Sequence, residues 1–192
     1  LVKEKVAEIS ESQVATIVAL AKLAESRDDD TGDHIEHTQT FCKVLAEKLS
    51  ASEAAGKSVN EDEIILGNGS NELLDISVKT YMQDGDEAVM AVPTFVVYSM
   101  AVQSVGGKAI QIPLKNYTHD LEAMAAAITS RTKMVFISNP NNPTGTINRK
   151  QEFERMMERV PESILVVLDE AYYEYVSSAD YAESMKYLHT EK

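Results

Sequence analysis

The chain has one cysteine, no apolar run long enough to cross a membrane, and too few basic residues to balance its acids. With Cys42 as the only cysteine among 192 residues, no disulfide can form within the chain, which is typical of a reducing, cytoplasmic setting. No stretch approaches the ~20 apolar residues of a membrane-spanning helix, and no signal peptide is visible. The 18 Lys and Arg face 31 Asp and Glu, and the net charge of −13 disfavours nucleic acid and anionic membranes as partners.

From residue 57 onward, apolar runs alternate with helical patterns. The runs that predict short buried strands are "EAVMAV" (87–92), "KAIQIP" (108–113), "KMVFIS" (133–138) and "SILVVLD" (163–169). The helical patterns between them cover 71–82, 94–105, 120–128 and 148–159. This alternation predicts an α/β fold with a mainly parallel sheet flanked by helices. In such sheets ligands bind at the carboxyl ends of the strands.

Residues 1–56 follow a different pattern and contain no strand candidate. Their apolar spacing predicts two helices around the polar break "SRDDDTGDH" (26–34), that is, a helical hairpin. The small, polar stretch 50–62 is typical of a linker. The sequence therefore predicts two parts, a helical segment at 1–56 and an α/β segment at 57–192.

The stretch "GNGSNELLD" (67–75) places Gly69, Ser70 and Asn71 at a predicted helix start. Free backbone N–H groups and the helix dipole make such a start an anion site. A tight turn with Ser70 as the N-cap and Glu72 in the first turn explains the same residues. The sequence leaves both interpretations open.

Three further stretches offer polar or aromatic side chains at predicted strand ends. In "DEAYYEY" (169–175), Asp169 could pair with a protonated ring nitrogen and Tyr172 could project to the same side, although an isolated Asp is also a common N-cap. Phe95, in "PTFVVY" (93–98), could stack on a planar ring or fill the core. In "SNPNNPTG" (138–145) the prolines stiffen the loop, and the amide of Asn142 could donate to a phenolate-type oxygen.

Taken in order along the chain, these motifs resemble a known family. Residues 58–190 resemble the large domain of pyridoxal-phosphate aminotransferases of the aspartate-aminotransferase fold type, and within it the histidinol-phosphate aminotransferases. The motifs that carry the resemblance are "GNGSNE", "PTFVVY", "NPNNPTGT" and "VVLDEAYYEYV". The resemblance implies a homodimer that binds pyridoxal 5'-phosphate and transfers an amino group between histidinol phosphate and 2-oxoglutarate, in histidine biosynthesis.

The resemblance also implies a role for each matching residue. Backbone amides at 69–71 hold the cofactor phosphate, and Phe95 stacks on the pyridine ring. Asn142 and Tyr172 contact the ring hydroxyl oxygen, and Asp169 pairs with the pyridinium nitrogen. No residue before Lys192 matches the Schiff-base lysine that follows "DEAY" in the family, since Lys186 lies in "SMKYL". We therefore expect a truncated large domain that is inactive by itself.

The segment 21–49 resembles the start of an HD-GYP cyclic-di-GMP phosphodiesterase domain. The positions that match metal ligands there are Asp30 and His34, a donor pair suited to iron or manganese. The paired His-Asp and the Gly-Tyr-Pro element that complete that site are missing, so we expect no tightly bound metal. Three hypotheses remain open: a transaminase, a metal-dependent phosphodiesterase, and a non-catalytic fusion of the two fragments.

Overall fold

The computed structural model describes residues 65, 67–182 and 184–187. The predicted helical hairpin and the predicted boundary between residues 56 and 57 lie outside these residues. The helices are α1 (Gly69–Tyr81), α2 (Val97–Ser104), α3 (Leu121–Ala126) and α4 (Lys150–Met157). The strands are β1 (Glu87–Val92), β2 (Lys108–Pro113), β3 (Thr132–Ser138) and β4 (Leu165–Asp169). Two short 3₁₀ turns follow β4, at Tyr173–Tyr175 and Ser184–Tyr187.

The four strands form one sheet in the order β2-β1-β3-β4, and every neighbouring pair is parallel. This confirms the predicted α/β class with a parallel sheet flanked by helices. The carboxyl ends of β3 and β4 lie side by side, because Ser138 is the register partner of Asp169. None of the helices in the described residues is long and apolar enough to span a membrane.

Alternating side chains of the inner strands give the sheet two apolar faces. On β3, Met134 and Phe136 point to one face, whereas Val135 and Ile137 point to the other. Helices α1 and α2 cover the first face, and α3 and α4 cover the second. Each fully buried side chain of this size stabilises the fold by roughly 1.5–3 kcal/mol. The sheet is therefore a rigid support for whatever lies at its carboxyl edge.

Helix starts follow local side-chain chemistry. The Asp120 carboxylate accepts a hydrogen bond from the Ala123 amide at the start of α3, at 3.0 Å. At α4 the Glu152 carboxylate accepts from the Arg149 amide, at 2.8 Å. Such contacts satisfy amides that have no partner within the helix.

A buried carboxylate, Glu87, paired with a largely exposed Arg131, lies at the amino ends of the inner strands, opposite the carboxyl edge. Glu87, 2% exposed, accepts hydrogen bonds from Thr129 Oγ1 at 2.5 Å and from Arg131 Nη2 at 2.5 Å and Nε at 2.9 Å. These bonds, first that of Thr129 and then that of Arg131, lower the pKa of the Glu87 carboxyl below its ordinary value. The carboxylate thereby ties the turn before β3 to the start of β1.

Candidate functional site

Asp169 is the last residue of β4, and hydrogen bonds from two directions hold its carboxylate. Oδ2 accepts from the phenol of Tyr98 at 2.6 Å, and Oδ1 accepts from the Ala171 amide at 3.1 Å. Its backbone carbonyl accepts from the Asn139 amide at 2.9 Å, which joins the end of β4 to the loop after β3. A half-buried carboxylate thus stands at the carboxyl edge with its orientation fixed.

Tyr98 reaches this carboxylate from within the core. Its side chain is completely buried on α2, and its ring stacks on Phe136 with centroids 4.9 Å apart and planes at 13°. Burial, and then the hydrogen bond to Asp169, raises the pKa of the Tyr98 phenol far above its ordinary value. The phenol is therefore a permanent donor to Asp169 at any physiological pH.

Phe95, the predicted stacking residue, lies next to this pair. It is half-buried just before α2, and its ring meets the Tyr98 ring edge-on, with centroids 5.6 Å apart and planes at 86°. Phe95 and Asp169 therefore share Tyr98 as a neighbour. The structure places the predicted aromatic and the predicted carboxylate on the same side of the sheet edge.

The Asn- and Pro-rich loop after β3 is held from inside by Asn141. Its Oδ1 accepts from Thr94 Oγ1 at 2.8 Å and from His119 Nε2 at 2.9 Å. Its Nδ2 donates to the Pro93 carbonyl at 3.3 Å and to Thr144 Oγ1 at 2.9 Å. All the hydrogen-bonding capacity of this buried amide is used to fix the loop against its neighbours.

Asn142 and Tyr172 are brought together outside this network. Asn142 Nδ2 donates to the Tyr172 hydroxyl at 3.5 Å, at the long end for a hydrogen bond. Both residues line a cavity of about 500 Å³ between the loop and the segment after β4, together with Tyr175, Val176 and Ser178. Asn142 and Tyr172, which the sequence predicts to contact the same ring oxygen, thus line the same cavity.

The turn at 69–71 forms the start of α1. Gly69 has φ +74°, a conformation that favours glycine, and the N-cap is Asn68. Ser70 therefore lies inside the first turn, and the interpretation of Ser70 as the N-cap is wrong. Gly69, Ser70 and Asn71 are exposed, and the Gly69 amide donates to the Gly67 carbonyl at 2.8 Å. Within the described residues, no hydrogen bond or ring contact joins these three to Asp169, Phe95 or Asn142.

Sequence reasoning missed two supporting residues, Tyr98 and His119. A tyrosine inside an otherwise apolar helical stretch needs a partner for its hydroxyl, and this signal marks Tyr98. His119 has no comparable sequence signal, yet it is 4% exposed and donates to Asn141. Neither role is visible without knowing that segments 22 or more residues apart meet.

The predicted metal ligands Asp30 and His34 lie outside the described residues. Among the residues that the structure does describe, no three His, Cys, Asp or Glu side chains come together in a way that could hold a metal ion.

A parallel sheet with helices on both faces and a fixed carboxylate at its carboxyl edge defines an α/β protein with a ligand site at that edge. The chain belongs to the aminotransferase class I and II family, whose model matches residues 9–191.

Curated relatives are also found. The chain is 48% identical over 147 residues to a histidinol-phosphate aminotransferase of Moorella thermoacetica, which covers 77% of this chain and 37% of that protein. It is 49% identical over 126 residues to histidinol-phosphate aminotransferase 2 of Hydrogenovibrio crunogenus, covering 66% of this chain and 34% of that protein. The chain thus spans little more than a third of the length of these two relatives.

Solved structures share the fold. The crystal structure of histidinol-phosphate aminotransferase from Sinorhizobium meliloti in complex with pyridoxal-5'-phosphate aligns with a TM-score of 0.66 and 26% identity, covering 78% of this chain and 38% of that one. The aromatic aminotransferase of Pyrococcus horikoshii OT3 aligns with a TM-score of 0.68 at 23% identity, covering 85% of this chain and 49% of that one, which supports the fold alone.

Proposed function

We propose that this chain is the cofactor-binding part of a pyridoxal-phosphate-dependent aminotransferase acting on histidinol phosphate. The observation that carries the proposal is the Asp169 carboxylate, held at the carboxyl end of β4 by Tyr98 and the Ala171 amide. The names of the relatives at 48% and 49% identity support histidinol phosphate, a phosphorylated amine, as the substrate. The amino acceptor 2-oxoglutarate is proposed from the family resemblance of the sequence motifs.

The residues fit the proposed cofactor. An acceptor-only carboxylate suits a protonated ring nitrogen, because a charge-assisted hydrogen bond to it is strong. Asn142 Nδ2 and the Tyr172 hydroxyl, which meet at 3.5 Å, suit the ring hydroxyl oxygen. Of the amides at 69–71, those of Ser70 and Asn71 at the exposed start of α1 suit a phosphate group, whereas the Gly69 amide already donates to the Gly67 carbonyl at 2.8 Å. Pyridoxal phosphate, when bound, supplies an electron sink for amino-group transfer.

Each side chain then has a definite task. Asp169 keeps the proton on the ring nitrogen, and this preserves the withdrawing character of the ring. Asn142 and Tyr172 would hold the ring oxygen by donating hydrogen bonds to it. Phe95 would stack against the ring and exclude water from it.

The 192 residues by themselves are proposed to bind the cofactor without turning substrate over. No residue after "DEAY" matches the family's covalent lysine, and loss of one member of a cooperating catalytic set typically costs several orders of magnitude in rate. We also propose that the protein is cytoplasmic and forms a homodimer.

The test titrates pyridoxal phosphate into the chain and follows absorbance and tyrosine fluorescence. We expect saturable binding that Asp169→Ala and Asn142→Ala weaken by roughly tenfold each, the equivalent of about 1.4 kcal/mol. Gln151→Ala, on the exposed side of α4, is the control and leaves binding unchanged. Histidinol phosphate and 2-oxoglutarate should give no turnover above free cofactor. Turnover that Asp169→Ala abolishes would contradict the proposed inactivity, and absent binding would contradict the function.

The resemblance of 21–49 to a phosphodiesterase supplies an alternative function. It depends on Asp30 and His34, outside the described residues, and it stays a prediction. Elemental analysis of protein purified without chelator separates the two, because a phosphodiesterase would carry metal that His34→Ala removes.

A further inference from the structure

Tyr98 is a fully buried polar side chain that touches the candidate site. Its ring lies in the core face formed by α1 and α2, with no exposed surface, and only its hydroxyl reaches the sheet edge. The hydroxyl donates to Asp169 Oδ2 at 2.6 Å, a length typical of a strong bond between a hydroxyl and a carboxylate. The contact joins residues 71 positions apart in the chain.

The position of the phenol is fixed by its surroundings. Phe136 stacks on one side at 4.9 Å, and Phe95 meets the ring edge-on at 5.6 Å. The Tyr98 amide donates to the Phe95 carbonyl at 3.3 Å, which ties the start of α2 to the same aromatic. A ring held this way cannot swing its hydroxyl off Asp169 without opening the core.

The donor is also permanent. Because burial and the carboxylate both favour the neutral phenol, Tyr98 keeps its proton whatever occurs at the site edge. Asp169 has a second donor in the Ala171 amide, and these two bonds together leave the carboxylate one preferred orientation.

We propose that Tyr98 is a positioning residue that aims the Asp169 carboxylate at the ring nitrogen of a pyridine cofactor. The inference rests on the proposed function, since it assumes that a pyridine ring occupies the site. It assigns to Tyr98 an effect that passes through Asp169 and through the ring nitrogen, rather than a general contribution to folding.

The test is a binding cycle with two variants and two ligands. Tyr98→Phe keeps the ring and its packing and removes only the hydroxyl. The ligands are pyridoxal phosphate and its 1-deaza analogue, in which carbon replaces the ring nitrogen. We expect Tyr98→Phe to raise the Kd for pyridoxal phosphate roughly tenfold and to shift the pH profile of the absorbance of bound cofactor. The Kd for the deaza analogue should stay within about twofold.

The second arm repeats the substitution in an Asp169→Ala background. If Tyr98 acts through Asp169, the tenfold effect on pyridoxal phosphate binding disappears there. Tyr181→Phe is the matched control, because Tyr181 is a second buried phenol whose hydroxyl contacts the Asn139 carbonyl and Glu170 Oε1, the latter at 3.1 Å, and not the Asp169 carboxylate. In Tyr181→Phe, the ratio of the Kd for pyridoxal phosphate to the Kd for the deaza analogue should equal that of the unsubstituted chain.

The outcomes separate this inference from the proposed function. Equal loss of both ligands in Tyr98→Phe, or a full effect in the Asp169→Ala background, would mean that Tyr98 is only a core residue. No binding of pyridoxal phosphate by the unsubstituted chain would overturn the proposed function and the inference with it. Circular dichroism of each variant at the titration temperature establishes that the compared proteins are folded.

Discussion

Asn139, Asn141 and Asn142 lie within four positions of one another and have different environments. Asn139 is buried and exchanges hydrogen bonds with the backbone of Asn148, and Asn141 is buried in its own network. Asn142 lines the cavity, and its amide donates to the Tyr172 hydroxyl there. Asn139 and Asn141 therefore fix the loop that presents Asn142, and Pro140 and Pro143 restrict its backbone.

His119 gives the first prediction at the residue scale, a loss of stability in mild acid. Its Nε2 must carry the proton donated to Asn141 Oδ1, and no partner for the buried Nδ1 is found within the described part of the chain. Burial lowers the pKa of His119 below 6.5, against the opposing effect of the Asn141 bond. The unfolded chain then binds the proton more readily, so this stability is complete above pH ~6.5 and falls as the pH drops towards the folded pKa.

The measurement is urea unfolding of the unsubstituted chain and of His119→Gln between pH 7.5 and pH 5. One proton allows a slope of at most about 1.4 kcal/mol per pH unit. Gln can still donate to Asn141 but does not titrate, so the difference in slope between the two proteins isolates His119. Parallel pH curves for the two proteins would show that His119 does not bind the proton on unfolding.

At the scale of elements, the Glu87 carboxylate joins the start of β1 to the turn before β3. This contact predicts how a substitution at Thr129 changes stability. Thr129→Val removes one donor from a carboxylate that is 3% exposed, whereas the side chain of Arg131 is 62% exposed. A buried acceptor that loses a partner typically costs about 1–3 kcal/mol of unfolding free energy. We expect a loss of that size in Thr129→Val at pH 7, measured by urea unfolding.

The control for this prediction is the exposed pair of Lys79 and Asp75 on α1, at 2.6 Å. Because both side chains are largely solvated, Lys79→Met should change stability by less than about 1 kcal/mol. The Thr129 effect should also shrink in acid. The lowered pKa of Glu87 means that its contribution is present above pH ~4.5 and disappears as the pH falls through the folded pKa. Equal effects of the two substitutions would contradict a special role for the buried carboxylate.

Strand positions could be predicted from sequence because apolar runs report burial directly. β1 and β2 have the predicted ends, and β3 begins one residue early. β4 begins at Leu165 rather than Ser163, since Ile164 still belongs to a turn closed by its amide on the Pro161 carbonyl. α3 ends at Ala126, two residues before the predicted end, because Thr129 turns to bind Glu87. That contact is long-range, and periodicity carries no information about it.

The site could be predicted only in part, for the same reason. Asp169, Asn142 and Tyr172 were found because each follows a strand, and strand ends converge in a parallel sheet. Tyr98 lies in "PTFVVY", but the sequence assigns it no role, because its partner is 71 positions away. Site residues at strand ends can be recognised from their order along the sequence. Core residues that support them, such as Tyr98, can be recognised only once the packing of the fold is known.

At the scale of the whole molecule, the two faces of the sheet differ in their relation to the site. The face covered by α1 and α2 contains Phe136, whose ring stacks on Tyr98 and so supports Asp169. The opposite face, beneath α3 and α4, contains Ile137, the next residue on β3. Both side chains are fully buried, so each contributes to stability, but only Phe136 lies under the carboxylate.

We therefore expect Phe136→Ala and Ile137→Ala to destabilise the fold alike and to affect the site differently. Large-to-small substitutions cost roughly 3–5 kcal/mol for Phe and 2–5 kcal/mol for Ile, out of a total of about 5–15 kcal/mol. At low temperature, where circular dichroism finds both variants folded, Phe136→Ala should raise the Kd for pyridoxal phosphate roughly tenfold, because the ring that positions Tyr98 is gone. Ile137→Ala should leave it within about twofold. Should either variant not fold, Phe136→Leu and Ile137→Val form a milder pair. Equal loss of affinity in both members of a pair would mean that the site depends on overall stability and not on one face of the sheet.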